Sequence, residues 1–345
     1  MPVISNFLKF IKKHLKICLF MFLCIVCFIS LKIYHHTLPL PEKKWIYSNL
    51  ENIQIKDLTH FSFAVFGGNR VGRHVFEGLL KQVDHDPDIA FVFNLGDVVL
   101  KGGKLHYHHF IKQINDNLGI PFLTVMGDNE LSGEGRELYQ KIFGPFYYSF
   151  KIGKNCFIVL DNAENSRFDQ QQMQWLEKEL AESKDYDSRI IFMHRSFYAA
   201  DQDINNRFMP QGISFKLIDL FMKYRVSHVF ASQVNGYYQG KLRGLSCTVT
   251  GGAGALSDNS NREYNFFHYL KVNVEKDMVE IEIKKLFLPG IDHMNHIKYR
   301  AMIYADNMIR VHWLESSLAT VILLFCIFYI IRKLKTGKRN EGRTI

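Results

Sequence analysis

FAVFGGNR, residues Phe63–Arg70, is the stretch on which the reading of the chain turns. Four apolar residues run into two glycines, an Asn and an Arg. That order describes a buried strand that breaks into a tight loop. Such a loop presents side chains to a ligand at the end of a sheet. The loop carries neither the carboxylate nor the histidine that a metal enzyme would place there.

Outward from this stretch the pattern alternates. FSFAVF (61–66) is a strand, and 74–83 has helical spacing. IAFVFNL (89–95) is a strand followed by a helix over 105–118, and IPFLTVM (120–126) by a helix over 136–142. Strand and helix repeated in this way predict a layered α/β domain. The pattern then changes. FYYSFKIG and NCFIVLDN, joined by Gly153, Lys154 and Asn155, predict a hairpin. A helix with Trp175 and Leu176 on its core face follows, then SRIIFMH, a helix over 213–224, and a series of short strands ending in MVEIEIKKLFL.

The formal charge of the 345 residues is +9. Residues 1–16 carry +4 and residues 332–345 carry +5, which accounts for all of it. No basic domain is left, so no nucleic-acid partner is expected. Each basic tail abuts an uncharged apolar run, Ile17–Leu31 and Ser316–Ile331. Both are a little short of the roughly 20 residues of a spanning helix. Lys16, Lys32 and Arg332 can extend them by snorkelling. Basic flanks mark the cytoplasmic side. Both termini are therefore expected in the cytoplasm, with the main domain on the extracytoplasmic side of the membrane. Residues 1–16 form a basic tail, and 17–34 an anchor or an uncleaved signal segment. Residues 35–60 form a polar stalk, and 61–288 the folded domain. Residues 289–312 connect it to the second span (313–331), with helical character suited to the membrane surface, and 332–345 are the second basic tail. Cys156 and Cys247 are the two cysteines of the domain; they leave one bridge open but form no disulfide framework or zinc spacing.

Every strand of the α/β part ends in polar residues: Gly67–Arg70, then Asp97, then Asp128–Glu130, then His194 and Arg195, then Gln233 and Asn235. Strand ends that converge on one edge of a sheet build ligand sites in α/β domains. His106, His108 and His109 follow the Asp97 loop. They are either further ligands at the mouth of the site or a solvated helix face. Arg195 and Tyr198 are candidates to line the pocket beside His194.

The order and spacing of these loops resemble the calcineurin-like metallophosphoesterases over about residues 61–286. FGPFYYSFKIGKNCFIVLDN (143–162) is similar to a family hairpin, QQMQWLEKEL (171–180) to the helix after it, and VTGGAGA (249–255) to a late glycine-rich turn. The resemblance implies a four-layer α/β/β/α sandwich with mixed sheets, here flanked by two transmembrane helices. It also implies two metal ions and phosphoester hydrolysis.

Carried over position by position, the family's ligands are incomplete. The first Asp falls on Gly68 and its paired His on Arg70. The bridging Asp falls on Asp97. The Asn ligand falls on Asp128, and the neighbouring His, which protonates the leaving group, on Asn129. The lone His falls on His194, and the last two His on Gln233 and Asn235. The resemblance thus leaves Asp97, Asp128, His194 and Gln233 as metal ligands. They suit one Zn²⁺, Mn²⁺ or Fe²⁺ ion, or none. Asp97, Arg70 and His194 are the candidate catalytic residues. Arg70, Asn69, Arg195 and Asn129 are the candidates to bind a phosphate ester or phosphorylated ligand. Arg70 either grips phosphate in place of the missing ion or pairs with Asp97. Two functions stay open: a divergent one-metal hydrolase, and a catalytically silent domain that binds a ligand or protein at the membrane.

Overall fold

In the computed structural model of the chain, residues 15–70, 73–164, 168–197, 208–255, 266–276, 278–291, 294 and 296–341 are described. Two compact units result: Met1–Pro39 with Asn307–Ile345, and Leu40–Asp306.

The larger unit holds two mixed sheets. The first runs β11-β10-β1-β2-β3. Its members are β1 (His60–Phe66), β2 (Ile89–Asn94), β3 (Phe122–Thr124), β10 (His268–Glu275) and β11 (Met278–Lys285). The second runs β4-β5-β6-β7-β9-β8. It holds β4 (Tyr148–Ile152), β5 (Asn155–Val159), β6 (Ser188–Phe192), β7 (His228–Ala231), β8 (Tyr237–Leu242) and β9 (Leu245–Thr250). In the first sheet β1, β2 and β3 are parallel, while β10 and β11 are antiparallel to their neighbours. Every residue of β1 after His60 is buried. A strand covered on both faces needs such an unbroken apolar run.

The inner faces of the sheets meet in a phenylalanine core. Phe93 stacks on Phe192 with centroids 3.9 Å apart, and Phe63 meets Phe157 edge-on at 5.7 Å. Such pairs add about 0.5–1.5 kcal/mol each beyond the area they bury. Helices cover the outer faces. α3 (Arg73–Asp84) buries Val75, Phe76, Leu79, Leu80 and Val83, one stripe at helical spacing. α4 (Lys104–Asn117) and α5 (Gly135–Ile142) join the same core. α6 (Gln170–Glu182), N-capped by the Asp169 side chain, and α7 (Gln211–Lys223) cover the second sheet with Leu176, Leu180, Leu217 and Phe221. The layers are therefore α/β/β/α, as expected. The hairpin forms with Gly153 at φ +55°.

Two expectations change. Residues 35–60 are not a plain stalk. Within them α2 (Trp45–Glu51) packs on the domain: Trp45 and Ile46 are buried, and Trp45 Nε1 donates to the Phe122 carbonyl at 2.6 Å. Asn49 Oδ1 also accepts the Phe122 N–H at 2.7 Å, so this segment finishes the exposed edge of β3. Cys156 and Cys247 are both free thiols, with Cys156 buried in β5.

The smaller unit contains α1 (Leu15–Thr37) and α9 (Trp313–Glu341). The segments Leu15–Thr37 and Trp313–Ile331 are long and apolar enough to cross a membrane. Phe20 of one stacks on Phe325 of the other at 3.7 Å. The segment before Trp313–Ile331 is helical, as α8 (His296–Val311).

Candidate functional site

The polar strand ends do converge. The loop after β1 is laced to its neighbours through the backbone. Gly68 N–H donates to the Gly96 carbonyl at 3.2 Å, and Arg70 N–H to the Asp97 carbonyl at 2.9 Å. On the other side Ala253 and Ala255 donate to the Gly67 and Gly68 carbonyls. The late glycine-rich turn is thus a clasp on the first loop.

Asp97 lies at the centre, 1% exposed, with φ +57°. Few residue types tolerate that backbone region, and Asp is one of them. Its Oδ2 accepts from Arg70 Nη2 at 3.0 Å. Its Oδ1 accepts the Asn129 N–H at 3.2 Å and lies 3.6 Å from His194 Nε2. Asp128 Oδ1 is also 3.6 Å from that nitrogen. Asp128 Oδ2 accepts from Gln233 Nε2 at 2.7 Å.

His194 is fully buried, and its Nδ1 lies 2.7 Å from the Leu95 carbonyl oxygen. A carbonyl only accepts, so Nδ1 carries the proton. In the neutral ring the lone pair is then on Nε2 and faces the two carboxylates. Nε2 itself is buried without a hydrogen-bond partner.

These atoms fit a metal ion. Asp97, Asp128 and His194 each offer a ligand atom, all within 4.8 Å of one another. Two atoms each about 2.1 Å from a tetrahedral ion stand about 3.4 Å apart, close to the spacings seen. The buried Nε2, a donor atom with no hydrogen-bond partner beside two carboxylates, suits a metal ligand. His106, His108 and His109 join no such group among the described residues.

The electrostatics balance. Burial opposes a proton on His194, but the Asp97 and Asp128 carboxylates outweigh it and push the imidazolium up to about 9. Burial raises the Asp97 carboxyl, against the pull of His194 and Arg70. Burial also acts to raise Asp128, but hydrogen bonding and charge from His194 override it and hold it well below the usual carboxylate range. Two carboxylates thus face Arg70 and His194, two groups able to carry positive charge.

Other expected residues take different places. Asn69 is fully buried, donating to the Val98 carbonyl and accepting from Asn94 Nδ2 at 2.9 Å. Its amide thus braces the loop between Asn94 and the Val98 carbonyl. Asn129 keeps a buried Nδ2 without a partner beside the carboxylates. Gln233 supports Asp128 through its Nε2, while its buried Oε1 has no hydrogen-bond partner. Arg195 Nε donates to the Ala163 carbonyl at 2.9 Å, and its charge acts on Asp128. Tyr198 lies outside the described residues.

Gly68 has φ +70°, and a Cβ there would meet Asn235 Oδ1 and the Gly251 carbonyl, each at 3.2 Å. The position where the resemblance places a metal-binding Asp is built for glycine.

Two supports escaped the sequence reading. Glu130 is buried and accepts three backbone N–H groups, from Gly127 at 2.7 Å, Asp97 at 2.9 Å and Val99 at 3.1 Å. It ties the Asp97 loop to the Asp128 loop. Asn162 Oδ1 accepts the His194 and Arg195 N–H groups at 2.8 and 3.0 Å, which sets the loop after β6. Both residue types sit at strand ends, so the signal was present; the partners were not. Two hollows, of about 770 and 740 Å³, lie at the other ends of β1 and β2, near His60 and Asp88. Neither contains Asp97, Asp128 or His194.

No family model matches the sequence, and no curated protein matches it. Among solved structures, purple acid phosphatase PPD1 from yellow lupin (Lupinus luteus) is 21% identical with a TM-score of 0.56. The match covers 66% of this chain and 51% of that one, so the chain spans about half the length of the lupin protein. PhoD is 12% identical with a TM-score of 0.51, covering 72% of this chain and 77% of that one. The fold is that of the calcineurin-like metallophosphoesterases.

Proposed function

We propose that the chain is a membrane-anchored protein of phosphoesterase fold whose site holds one divalent metal ion and binds a phosphate ester. The observation that carries this reading is the buried Nε2 of His194, without a hydrogen-bond partner and 3.6 Å from an oxygen of both Asp97 and Asp128. Asp97, Asp128 and His194 would hold the ion, with Gln233 steadying Asp128. When bound, such an ion supplies Lewis-acid polarisation of a phosphoryl oxygen. Arg70 stands where the resemblance places a histidine ligand. Its guanidinium offers phosphate a permanent charge and two parallel donors. Asn129 cannot donate a proton to a leaving group, so hydrolysis should be slow and favour esters with good leaving groups. The two apolar helices would anchor the domain, with both termini on the cytoplasmic side.

A second reading has its own support. With His194 protonated, Arg70 and His194 neutralise Asp97 and Asp128 without an ion. The domain would then be a silent binding module.

Elemental analysis of the full chain in detergent, after loading with Mn²⁺ or Zn²⁺, separates the two. One ion per chain, lost in His194→Ala and tracking hydrolysis of an aryl phosphate, supports the one-metal enzyme. No retained ion and no turnover sinks it in favour of the silent module.

A further inference from the structure

Helix α8 is pinned in one orientation. Tyr299 is 1% exposed, its ring packs on Phe267 at 5.5 Å, and its hydroxyl donates to the Gly254 carbonyl at 2.7 Å. Gly254 belongs to the turn whose Ala253 and Ala255 bond to Gly67 and Gly68. The helix is therefore fastened to the loop that carries Arg70 and cannot roll without breaking that link.

The face this leaves outward is apolar. Ile297 is 81% exposed and Tyr304 50% exposed, with Ala301 exposed between them. Spacings of four and three residues put these side chains on one stripe. Lys298 and Arg300, both exposed, stand on its two shoulders. A surface helix ordinarily turns its apolar stripe to the core and its charges to water. Here the apolar stripe is the exposed one.

We propose that this face of α8 lies on a lipid surface, with Ile297, Ala301 and Tyr304 dipping below the headgroups and Lys298 and Arg300 at the level of the phosphates. The proposal rests on the reading of Trp313–Ile331 as a membrane span. α8 ends at Val311 and that segment begins two residues later, so the chain itself holds the stripe close to any bilayer the span enters. An apolar stripe with basic flanks and an aromatic side chain is the composition that seeks the interface. Basic residues next to a span also draw anionic lipid. A second copy fits less well, because stable protein interfaces use about 20–30 residues a side. The stripe of one helix, Ile297, Ala301, Tyr304 and Met308, falls far short of that.

The test uses the full chain in vesicles of phosphatidylcholine and phosphatidylserine. Photoreactive benzoylphenylalanine replaces Ile297, Ala301 or Tyr304 singly, Leu323 as a probe of the span, and Lys241, exposed on β8, as the water control. These positions are exposed, so the core is untouched. Lipid adducts at the stripe and at Leu323, several-fold above those at Lys241, are expected. Lipid adducts at Leu323 with none at the stripe overturn the proposal while leaving the span intact. Adducts to a second copy at the stripe, or equal labelling at Lys241, also overturn it. No lipid adduct at Leu323 removes the span, and the proposal with it.

Discussion

The Arg70 guanidinium lies 3.0 Å from the Asp97 carboxylate, and Arg70 is only 30% exposed. The pair joins two residues that both have positive φ, +43° and +57°. Replacing Arg70 with Ala would leave a fully buried carboxylate facing a gap. Breaking a fully buried ion pair costs about 3–5 kcal/mol; with Arg70 partly exposed, the cost here is the smaller one of an unsatisfied buried group, about 1–3 kcal/mol. Arg70→Ala should therefore lower the melting temperature by several degrees and weaken binding of inorganic phosphate at least about tenfold. Arg70→Lys should recover less than half of the binding, since an ammonium cannot donate two parallel bonds. Thermal melts and calorimetric phosphate titrations check both. A wild-type profile for the alanine variant would remove Arg70 from the site.

Gly127 sits where the Asp97 and Asp128 loops touch. A Cβ there would press into Asp97 N, Asp97 Oδ1 and Glu130 Oε2; the first and last belong to the Glu130 clasp, and Asp97 Oδ1 holds the Asn129 N–H. Gly127→Ala is expected to destabilise the domain by about 2–4 kcal/mol through overpacking and lost hydrogen bonds. Metal uptake should fall with it, because Asp97 would be displaced. Denaturant unfolding and elemental analysis of the variant are the checks, and unchanged values in both would refute the close contact.

Gly68 invites the opposite experiment. The resemblance suggests that Gly68→Asp would restore a ligand. The backbone says otherwise: φ is +70°, and Asn235 Oδ1 and the Gly251 carbonyl already crowd the position. A non-glycine residue there costs about 1–2 kcal/mol. The variant should be less stable than the parent and should bind no additional ion, with Arg70 still beside Asp97. A second ion per chain would show that the loop can be rebuilt by one side chain.

These cases also show what a sequence can and cannot reveal. The strands and helices were legible because apolar runs such as FSFAVF and stripes such as Val75, Phe76, Leu79, Leu80 and Val83 have only one way to be buried. The site was legible as a set of polar strand ends, since Asp97, Asp128, His194 and Gln233 lie at them and do meet. What each end touches was not legible. Asn69 faces inward because Asn94 and the Val98 carbonyl claim its amide, and both come from the neighbouring strand and its loop. Glu130 looks like one more acid until three amide groups converge on it. The segment 35–60 read as a stalk because its composition is polar. Its role depends on Trp45, whose Nε1 reaches the Phe122 carbonyl 77 residues away. IPFLTVM read as a full strand, but only Phe122–Thr124 join the ladder, since β3 is an edge with one partner.

The last prediction concerns acid. His228 in β7 and His268 in β10 are buried, and burial pushes both down to about 4. Their ring nitrogens serve neutral bonds: His228 Nε2 lies 2.9 Å from Thr248 Oγ1, and His268 bridges Thr250 Oγ1 and the Phe266 carbonyl, each at 2.9 Å. In the unfolded chain a histidine titrates near 6.5. Between about pH 4 and 6.5 the unfolded state therefore binds more protons than the folded one, and stability rises with pH. The contribution is complete above pH 6.5 and is lost as pH falls toward 4, with a slope of up to about 1.4 kcal/mol per unit for each histidine. Carboxylates add their own slope, so the variants carry the test. His228→Asn and His268→Asn should each be less stable than the parent at pH 7. Each should also lose less on acidification from pH 7 to 4.5, by roughly one proton's worth of slope. Urea unfolding of the full chain in detergent at several pH values measures this. A parallel pH dependence in parent and variants would mean that these rings are already protonated in the fold.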